Sequence, residues 1–427
     1  METTIANLSN QINGLLKKNQ QIEATLLLQN NESCIWNINQ GIITKVKQFE
    51  GSVVRIVNNE NEIGSGYSIG NENSFEQAYH LANLSAQKIK LNQFLLTRDI
   101  LDAPNTVSTK PDLNNIIQKI LDKVSFLNPI SASISWNKEK RNYTNSFNVE
   151  GITEYGYYTC VINSSDNQYK TYIGTDLDNF LLEIENSKTE IHQVSTVSAN
   201  KSAFTGPVIF EPLPFSIILS YLGSWFCIQD GLTGKLEEKL HQKIAPDFLT
   251  LEENPYYEHP FPIPAFDIEG IKPQKVALIK EGVLQSFLID QQAAKERGYT
   301  STGNKQLSNI KTPSKVSPNI LVLSSGEKSK DSLIKEIQRG FIIKEIQQLS
   351  SGFDFYTGNF NLLVEGNPIE NGEIIKVKAK TIIRGNILSL LNDICNVSDD
   401  TKEITFFGRV VCPSVMVDGI NVGGYQL

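Results

Sequence analysis

The chain has 427 residues, of which 40% are hydrophobic and 20% are charged, and its formal net charge is -8 at pH 7. These values are typical of a folded globular protein and exclude a disordered or fibrous one. The negative charge weighs against a nucleic-acid partner, because neutralising phosphates requires clustered lysines and arginines. A chain of this length usually divides its core, so we expect two domains.

The cysteines and the hydropathy pattern bear on the cellular compartment. The five cysteines lie far apart and form no CxxC pair, which favours reduced thiols over a disulfide framework. No window approaches the roughly 18 apolar residues that span a bilayer. The opening residues METTIANLSNQINGLL lack a basic region followed by an apolar core, unlike a signal peptide. We therefore expect a cytoplasmic protein without a membrane partner.

The first half of the chain alternates apolar and polar residues in short runs, which predicts an antiparallel strand meander with packed helices. Helices are predicted from Ser74 onward and over residues 113–124, where apolar residues recur with helical spacing. From about 130 to 200 the period-two pattern returns, as in a large twisted sheet. We assign residues 1–200 to an N-terminal α+β domain. Its early strands are predicted at SCIWNI (33–38), IITKVKQ (42–48), SVVRIV (52–57) and GSGYSIG (64–70).

The second half, residues 201–427, is predicted to form a strand-rich domain of twisted mixed sheets, which makes the whole chain α+β. Lys280-Glu281-Gly282 predicts a hairpin turn, because glycine supplies the positive φ. A short helix is predicted to start at Ser329 and to end at Gly340 as a C-terminal cap. Strands are predicted at FDIEG (266–270), VALIKEGVLQSFLID (276–290) and SPNILVLSSG (317–326).

The segment GPVIFEPLPFSIILSYLGS (206–224) combines an apolar run, a proline-bounded turn and a helix-compatible stretch. Strand, turn and buried helix is a layout from which enzymes present catalytic side chains. Whether this helix does so is the central question for the chain's function.

Other candidate chemistry is weaker. No HExxH spacing occurs, but two of the four histidines lie near carboxylates, so a metal site from them stays an alternative to solvated loop residues. The residues concerned are His241, His259, Glu252, Glu253 and Glu258. One G-x-S-x-G match, Gly66 to Gly70, suggests a nucleophile elbow, but Ser68 falls within a strand-like alternation and a strand end is favoured.

Several stretches of the second half, in this order, resemble the TldD/PmbA family of peptidase-related proteins, once named as modulators of DNA gyrase. The resemblance covers most of the second domain and only weakly the first. The stretches are Pro255–Gly270 with its FDIEG, LIKEGVLQSFLIDQQAAKERGYTSTGN (278–304), SPNILVLSSG (317–326), YTGNFNLLVEGNPIENGE (356–373), IIRGNILSLLNDI (382–394) and PSVMVDGINVGG (413–424).

The resemblance implies a metal site that this chain has lost. In the family, the active TldD-type subunit carries HExxxH on the helix after the proline-bounded turn, with a cysteine near the C-terminus, to hold a metal. Leu219 and Ser220 stand at the first His-Glu pair and Ser224 at the second His. None of them replaces a metal ligand or a general base. Cys412 lies closer to the end than the family's ligand cysteine and does not correspond to it.

The chain therefore resembles the TldE/PmbA branch, which lacks its own metal site. The resemblance implies no cofactor in this chain, and a divalent metal, with zinc expected, in a TldD-type partner. It implies a non-catalytic subunit of a cytosolic TldD/TldE-type metalloprotease complex that binds and processes unstructured peptides. Two alternatives stay open, an autonomous metallopeptidase with a rearranged metal site and a homodimeric peptide-binding or scaffold protein without catalytic activity. Whether the chain is itself an enzyme is not decided.

Glycine-rich strand ends are candidates for binding an extended peptide as an added strand. The same residues are equally suited to building turns in a twisted sheet. The candidates are Gly303, Asn304, Gly358, Asn359, Glu370, Asn371 and Gly372.

Overall fold

The protein's architecture is known from a computed structural model. No helix in the described ranges is long and apolar enough to cross a membrane. The structure describes residues 10–14, 21–57, 62–69, 74–88, 112–125, 128–164, 169–174, 178, 181, 200–229, 235–257, 263–307, 313–347, 352–405 and 408–426.

A seven-stranded antiparallel sheet dominates the first half of the described chain. IITKVKQ and SVVRIV, predicted as separate strands, belong to one 17-residue strand that pairs with its neighbour along its whole length. The strands are β1 (Gln21–Asn37), β2 (Gly41–Val57), β3 (Glu62–Ile69), β4 (Gln87–Lys88), β5 (Pro129–Asn145), β6 (Glu150–Ser164) and β7 (Tyr169–Gly174). They lie in the order β4-β3-β2-β1-β5-β6-β7.

Among the described residues, α1 (Ser74–Leu84) and α2 (Leu113–Val124) pack on this sheet. The helical residues 10–14 add the buried Ile12 to the core beside α1. The buried apolar stripe of each helix packs on alternate apolar residues of the strands, forming two small cores. The Asp112 carboxylate accepts hydrogen bonds from two backbone amides in the first turn of α2 and so caps that helix. The other face of the sheet packs against the second half of the chain.

The second half contains shorter strands and four helices within the described residues. The helices are α3 (Pro212–Gly223), α4 (Gln291–Arg297), α5 (Lys330–Lys335) and α6 (Ile387–Asn392). The strands are β8 (Asn200–Lys201), β9 (Phe204–Phe210), β10 (Cys227–Ile228), β11 (Leu251–Glu253), β12 (Val276–Lys280), β13 (Val283–Leu284), β14 (Leu288–Ile289), β15 (Lys305–Gln306), β16 (Lys315–Val316), β17 (Leu321–Leu323), β18 (Arg339–Gln347), β19 (Asn359–Glu370), β20 (Glu373–Ile374), β21 (Ala379–Asn386), β22 (Ile394–Val397), β23 (Lys402–Ile404), β24 (Val410–Cys412), β25 (Val415–Val422) and β26 (Tyr425–Gln426).

Two sheets organise these strands. In the larger one the order is β18-β9-β25-β21-β19, and β18 also pairs with β19, which closes these strands into a ring. In the second, six-stranded sheet the order is β13-β12-β11-β17-β24-β23. Both sheets are mixed, because β9 runs parallel to β18 and β17 runs parallel to β24. The α+β class with mixed sheets is confirmed, whereas the boundary at residue 200 stays a prediction.

Helix α3 packs between the strand ring and the six-stranded sheet, with contacts to β9 and β18 on one side and to β17, β23 and β24 on the other. Gly223, at its end, lies so close to this sheet that an added Cβ would be 2.9 Å from Leu321 Cδ1. The helix is thus central to the largest hydrophobic core of the second half.

Local predictions in the second half had mixed outcomes. The hairpin at Glu281-Gly282 is confirmed, with positive φ at both turn residues and β12 paired to β13. FDIEG was predicted as a strand and is a turn, in which Asp267 and Gly270 close a tight loop. The cap at Gly340 is wrong, because α5 ends at Lys335 and Gly340 lies within β18.

The G-x-S-x-G glycines serve packing. Gly66 lies in the middle of β3, where an added Cβ would be 1.9 Å from the Ala78 carbonyl oxygen of α1. Ser68 donates a hydrogen bond to the Gln77 side chain of the same helix at 2.7 Å, and Gly70 lies outside the described residues. The match therefore marks a close strand–helix contact, and Ser68 is not at a strand-to-helix turn.

Gly66→Ala is predicted to lower the free energy of unfolding by about 1–3 kcal/mol, because the methyl group forces α1 away from β3. Denaturant unfolding followed by circular dichroism measures the change. Gly14→Ala is the control, since a Cβ there would meet nothing within 4 Å. A Gly66→Ala variant as stable as the wild type would contradict this account of the contact.

Candidate functional site

The sequence explains why α3 forms and why it is buried. Pro212 occupies the first helical turn, where a missing N–H costs nothing. The residues that follow are mostly apolar, and all but Leu213 and Ser220 are buried, which is the pattern of a helix largely enclosed by protein. Glu211, at the N-cap, makes no capping bond with its side chain and instead pairs with Lys330 Nζ at 2.8 Å.

The α3 positions that the resemblance assigns to the family's metal ligands carry side chains that already have partners within the protein. Leu219 is fully buried in the core. Ser220 Oγ donates to the Ser216 carbonyl oxygen at 2.8 Å, and Ser224 Oγ donates to the Tyr221 carbonyl oxygen at 2.7 Å. A serine hydroxyl that donates to a carbonyl oxygen of its own helix has its hydrogen bond satisfied locally.

Cys412 lies at the opposite end of the helix. Its Sγ donates to the Pro212 carbonyl oxygen at 3.3 Å, and burial raises the pKa of its thiol. At 1.5 Å per residue, Pro212 and Ser224 are about 18 Å apart along the helix axis. Cys412 and Ser224 therefore cannot share one ion.

Within the described residues, the candidate histidines and carboxylates do not come together as a metal site. His241 is exposed, with a φ of 63°. Glu252 pairs with Lys275 at 2.9 Å, while Glu253 points into the protein and is buried. His259 and Glu258 lie outside the described residues. In the part of the chain that the structure describes, no three His, Cys, Asp or Glu side chains gather as a ligand set.

Two of the predicted peptide-binding residues lie close to the end of α3. Gly358 has a φ of 75°, and an added Cβ would be 2.4 Å from the Trp225 ring, which follows Ser224 directly. Asn359 is exposed, and its Oδ1 accepts a hydrogen bond from Asn386 Nδ2 at 2.9 Å. The structure thus brings Gly358 and Asn359 to the same end of the helix as Ser224.

Gly303 and Asn304 lie elsewhere and are buried. Gly303 has a φ of 72°, and a Cβ would be 2.5 Å from the Lys272 carbonyl oxygen. Asn304 Nδ2 donates to Glu253 Oε1 at 3.0 Å. Peptide contact at these two residues stays a prediction, while their observed contacts are internal.

Glu370, Asn371 and Gly372 form the tight turn that the sequence predicts, between β19 and β20. Asn371 and Gly372 have φ values of 51° and 78°. Their backbone amides donate to carbonyl oxygens of Gln338 and Ile337, each at 2.8 Å. Peptide binding at this turn is untested, and its amides are used within the protein.

A buried ion network joins the N-terminal sheet to the second half of the chain. The Arg55 guanidinium of β2 pairs with the carboxylates of Glu23 and Glu269, and it donates to Gln291 Oε1 at 2.7 Å. Tyr143 completes the group with a 2.9 Å hydrogen bond to Glu23. Because the partners come from both halves, this network fixes how the sheet meets the 263–307 segment.

A second group of buried polar residues, centred on Arg141, also links the N-terminal sheet to the second half of the chain. Arg141 of β5 pairs with Glu139 at 2.5 Å and donates to Gln306 Oε1 at 3.3 Å. Gln306 Nε2 donates to Asn319 Oδ1 at 3.2 Å, and Asn319 in turn donates to Glu253. A continuous chain of polar contacts therefore leads from the sheet to a carboxylate in the core.

Burial changes the proton affinity of these carboxylates. It raises the pKa of Glu253 to about 7, although four N–H donors oppose the shift. Burial also raises the pKa of Glu23 to about 7, against the opposing charge of Arg55. The pKa of Asp267 is raised to about 8 by burial and by the nearby Glu269 charge. The contribution of these carboxylates to stability therefore depends on pH.

Sequence reasoning missed this network and an aromatic turn at Phe355 and Tyr356. The signal for the network was present in FDIEG, where Asp267 and Glu269 interrupt an apolar stretch. Their partners could not be identified, because Arg55 and Glu269 are 214 residues apart in the chain. The signal for the turn was the pair of aromatic residues Phe355 and Tyr356 directly after Asp354, a residue that favours turns.

Comparison with known proteins decides the family. A family model described as the PmbA/TldA metallopeptidase C-terminal domain matches residues 204–424, just over half of the chain. The chain belongs to the PmbA/TldD family. A protein named metalloprotease PmbA homolog from Buchnera aphidicola is 28% identical over 281 residues, 64% of this chain and 59% of the relative. A zinc metalloprotease TldD homolog from Saccharolobus solfataricus is 27% identical over 206 residues, 45% of this chain and 46% of the relative.

Solved structures share the fold over nearly the whole chain. TldE from Thermococcus kodakarensis superposes with a TM-score of 0.77 at 19% identity, covering 97% of this chain and 99% of that one. A Thermotoga maritima protein described as a modulator of a DNA gyrase gives a TM-score of 0.75 at 18% identity, covering 98% and 100%. The aligned part spans 59% or less of the two curated relatives' lengths.

The residues of α3 do not fit the zinc that the relative's name implies for the family. Zinc is held by cysteine, histidine and carboxylate ligands. The three positions offer a buried leucine and two serines whose hydroxyls are bonded to helix carbonyls.

Arg55→Met is predicted to lower the free energy of unfolding by about 3–5 kcal/mol, since Glu23 and Glu269 lose their buried counter-charge. Urea denaturation at pH 7 measures the loss. The triple variant Glu23→Gln/Arg55→Met/Glu269→Gln is the matched comparison, and it is expected to recover most of the stability because no carboxylate is left unpaired. A triple variant no more stable than the single one would disprove the pairing.

The raised pKa of Glu253 predicts a pH dependence of known sign. Because its folded pKa of about 7 exceeds the ordinary 4.5, the native state binds more protons between these values. Stability is then lost as pH rises through 7. Relative to Glu253→Gln, the wild type should lose about 3 kcal/mol between pH 4.5 and 7. Urea unfolding at several pH values tests this, and identical slopes for both proteins would refute it.

Proposed function

We propose that this chain is a non-catalytic, TldE/PmbA-like subunit of a TldD/TldE-type metalloprotease complex that acts on unstructured peptides. The observation on which this rests is the state of α3. The positions that the resemblance assigns to the family's HExxxH motif hold a buried Leu219 and two serines that donate to helix carbonyls. The helix therefore contributes packing, and the metal chemistry belongs to a partner.

The comparisons support this proposal at a coarser level. The chain belongs to a metallopeptidase family, and its fold matches that of a protein named TldE. A further relative carries the name TldD. A TldD-type chain is thus the partner we propose, with zinc in that partner. The five free cysteines support a cytoplasmic location.

Metal content and activity test the proposal together. The purified chain should contain no stoichiometric zinc or iron by mass spectrometry and should not cleave an unstructured peptide alone. Mixed with a TldD-type chain, it should form a stable complex that cleaves the peptide. Stoichiometric metal together with cleavage by the isolated chain would overturn the proposal.

Ligand substitutions locate the metal. Changing the motif histidines of the TldD-type chain should abolish cleavage by the complex, whereas His241→Ala/His259→Ala in this chain should leave it unchanged. Loss of cleavage in the second variant would favour an autonomous, rearranged metal site. A homodimer in sedimentation, without association to a TldD-type chain, would favour the scaffold alternative.

A further inference from the structure

Buried carboxylates outnumber buried cations where the N-terminal sheet meets residues 263–307. Six charged side chains meet there, and each belongs to a residue that is at most 8% exposed. Four of them are carboxylates and two are cations, so two negative charges are unbalanced when every group is ionised. We name this set the acid cluster, and it consists of Glu23, Asp267, Glu269, Asp290, Arg55 and Lys305.

Three of the four carboxylates have a cation as partner. Arg55 pairs with both Glu23 and Glu269. Lys305 Nζ pairs with Asp290 Oδ2 at 2.5 Å. Because one guanidinium serves two carboxylates, these pairs still leave one negative charge without a cation of its own.

Asp267 is the fourth carboxylate, and no lysine or arginine side chain of the described residues pairs with it. Its Oδ1 accepts hydrogen bonds from the backbone amides of Glu269 at 2.9 Å and Ile271 at 3.0 Å, and its Oδ2 accepts from the amide of Lys305 at 2.9 Å. These amides favour the ionised form, whereas complete burial and the Glu269 charge oppose it. Burial prevails and raises the pKa of Asp267 to about 8, so this carboxyl group holds a proton near neutral pH.

The other cations of the described residues near the acid cluster do not balance its charge. Arg141 of β5 lies near enough to interact with the Asp267 charge, but it pairs with Glu139 at 2.5 Å. Lys295 of α4 is partly exposed, and burial together with the Arg55 charge lowers the pKa of its ammonium group. Even a charged Lys295 would leave one negative charge in excess.

Two further side chains next to the acid cluster add no net charge to it. Tyr143 of β5 donates to Glu23 at 2.9 Å, and burial keeps its pKa well above the ordinary value, so the phenol stays neutral. Arg297, at the far end of α4, pairs with Glu237 at 2.6 Å. The acid cluster therefore becomes neutral only by binding at least one proton.

The N-terminal sheet has hydrophobic cores that do not depend on this contact. Helices α1 and α2 pack on the sheet in two clusters that contain only residues of the first half. The apolar part of the contact is small, with Leu27 and Val53 on one side and Ile268 and Leu307 on the other. A hydrogen bond from Thr25 Oγ1 to the Ile268 carbonyl oxygen at 3.2 Å adds a neutral link. The charge of the acid cluster therefore strongly affects how firmly the contact is held.

We propose that the contact between the N-terminal sheet and residues 263–307 is a proton-dependent conformational device. It is closed while the acid cluster holds at least one proton, and it opens when the cluster is fully ionised. Opening separates the sheet from the second half without unfolding either. The device does not depend on whether a TldD-type chain is the partner.

The direction of the pH dependence follows from the raised pKa values. In the closed state the pKa of Glu23 is about 7 and that of Asp267 is about 8, above the ordinary 4.5 and 3.8. The protons on these groups stabilise the closed contact fully below the ordinary values. That stabilisation is lost as the pH rises through 7 to 8.

Hydrogen exchange of the full chain, followed by mass spectrometry from pH 6 to pH 9, tests the device. After correction for intrinsic exchange rates, amides in segments 267–271 and 303–306 should lose protection by about tenfold or more. The reason is that each pH unit above a raised pKa weakens the contact by up to about tenfold per proton. The amides of α3 are the internal reference, and their protection should not change.

Glu23→Gln removes one titrating carboxylate and keeps an oxygen that accepts from Arg55. Its loss of protection between pH 6 and pH 9 should be about tenfold smaller than that of the wild type. Glu373→Gln is the matched control, because Glu373 is exposed on β20, and its profile should equal that of the wild type. Asp267→Asn should also flatten the profile. Circular dichroism checks the fold of each variant, and Glu23→Gln alone serves if Asp267→Asn does not fold.

Three results would overturn the inference. The first is equal protection of the contact amides at pH 6 and pH 9. The second is a Glu23→Gln profile identical to that of the wild type. The third is an equal loss of protection in α3, because this would show unfolding of the whole chain rather than opening of the contact. Each of them leaves the proposed function untouched.

Discussion

The structure of the second half depends on the enclosure of α3, a helix that is almost entirely apolar and buried. Such a helix is stable only when protein covers its whole circumference. In this chain the strand ring covers one side of α3 and the six-stranded sheet covers the other. At Gly223 an added Cβ would lie 2.9 Å from Leu321 Cδ1, so a larger residue there would require the Leu321 side chain to shift. Side chains on α3 are therefore selected for packing, and Leu219 fits that selection where a histidine would require ligands and hydrogen bonds.

Buried charged side chains are concentrated where the N-terminal sheet meets residues 263–307. Charged groups lose hydration there, and the loss is offset only where each has its partners. Arg55 lies between Glu23 and Glu269, which come from opposite sides of the contact. An apolar contact tolerates sliding, whereas hydrogen-bonded ion pairs have defined geometry. The network therefore explains a fixed relative placement of sheet and segment better than the small apolar contact at Leu27 and Leu307 does.

Local features of the fold could be predicted from the sequence, because they depend on neighbouring residues. The meander, helix 113–124 and the turns at Gly282 and Gly372 belong to this group. The FDIEG prediction was wrong because alternation alone does not distinguish a strand from a turn with buried carboxylates. Gly340 was misassigned because a glycine also permits close strand contact, here with the Pro207 carbonyl oxygen. Long-range partners, such as Arg55 and Glu269, cannot be identified from alternation or propensity.

The candidate site shows the same division. The resemblance to the family indicated which α3 positions matter, and the structure adds what occupies them physically. Leu219 packs in the core, and Ser220 and Ser224 donate to carbonyl oxygens of their own helix, so the side chains of α3 are used within the protein. A rigid end supports an ordered turn, since Tyr221 and Trp225 fix Phe353 and Gly358 from below. The core therefore positions this surface turn through direct ring contacts, which is the rigid support that precise placement of a side chain requires.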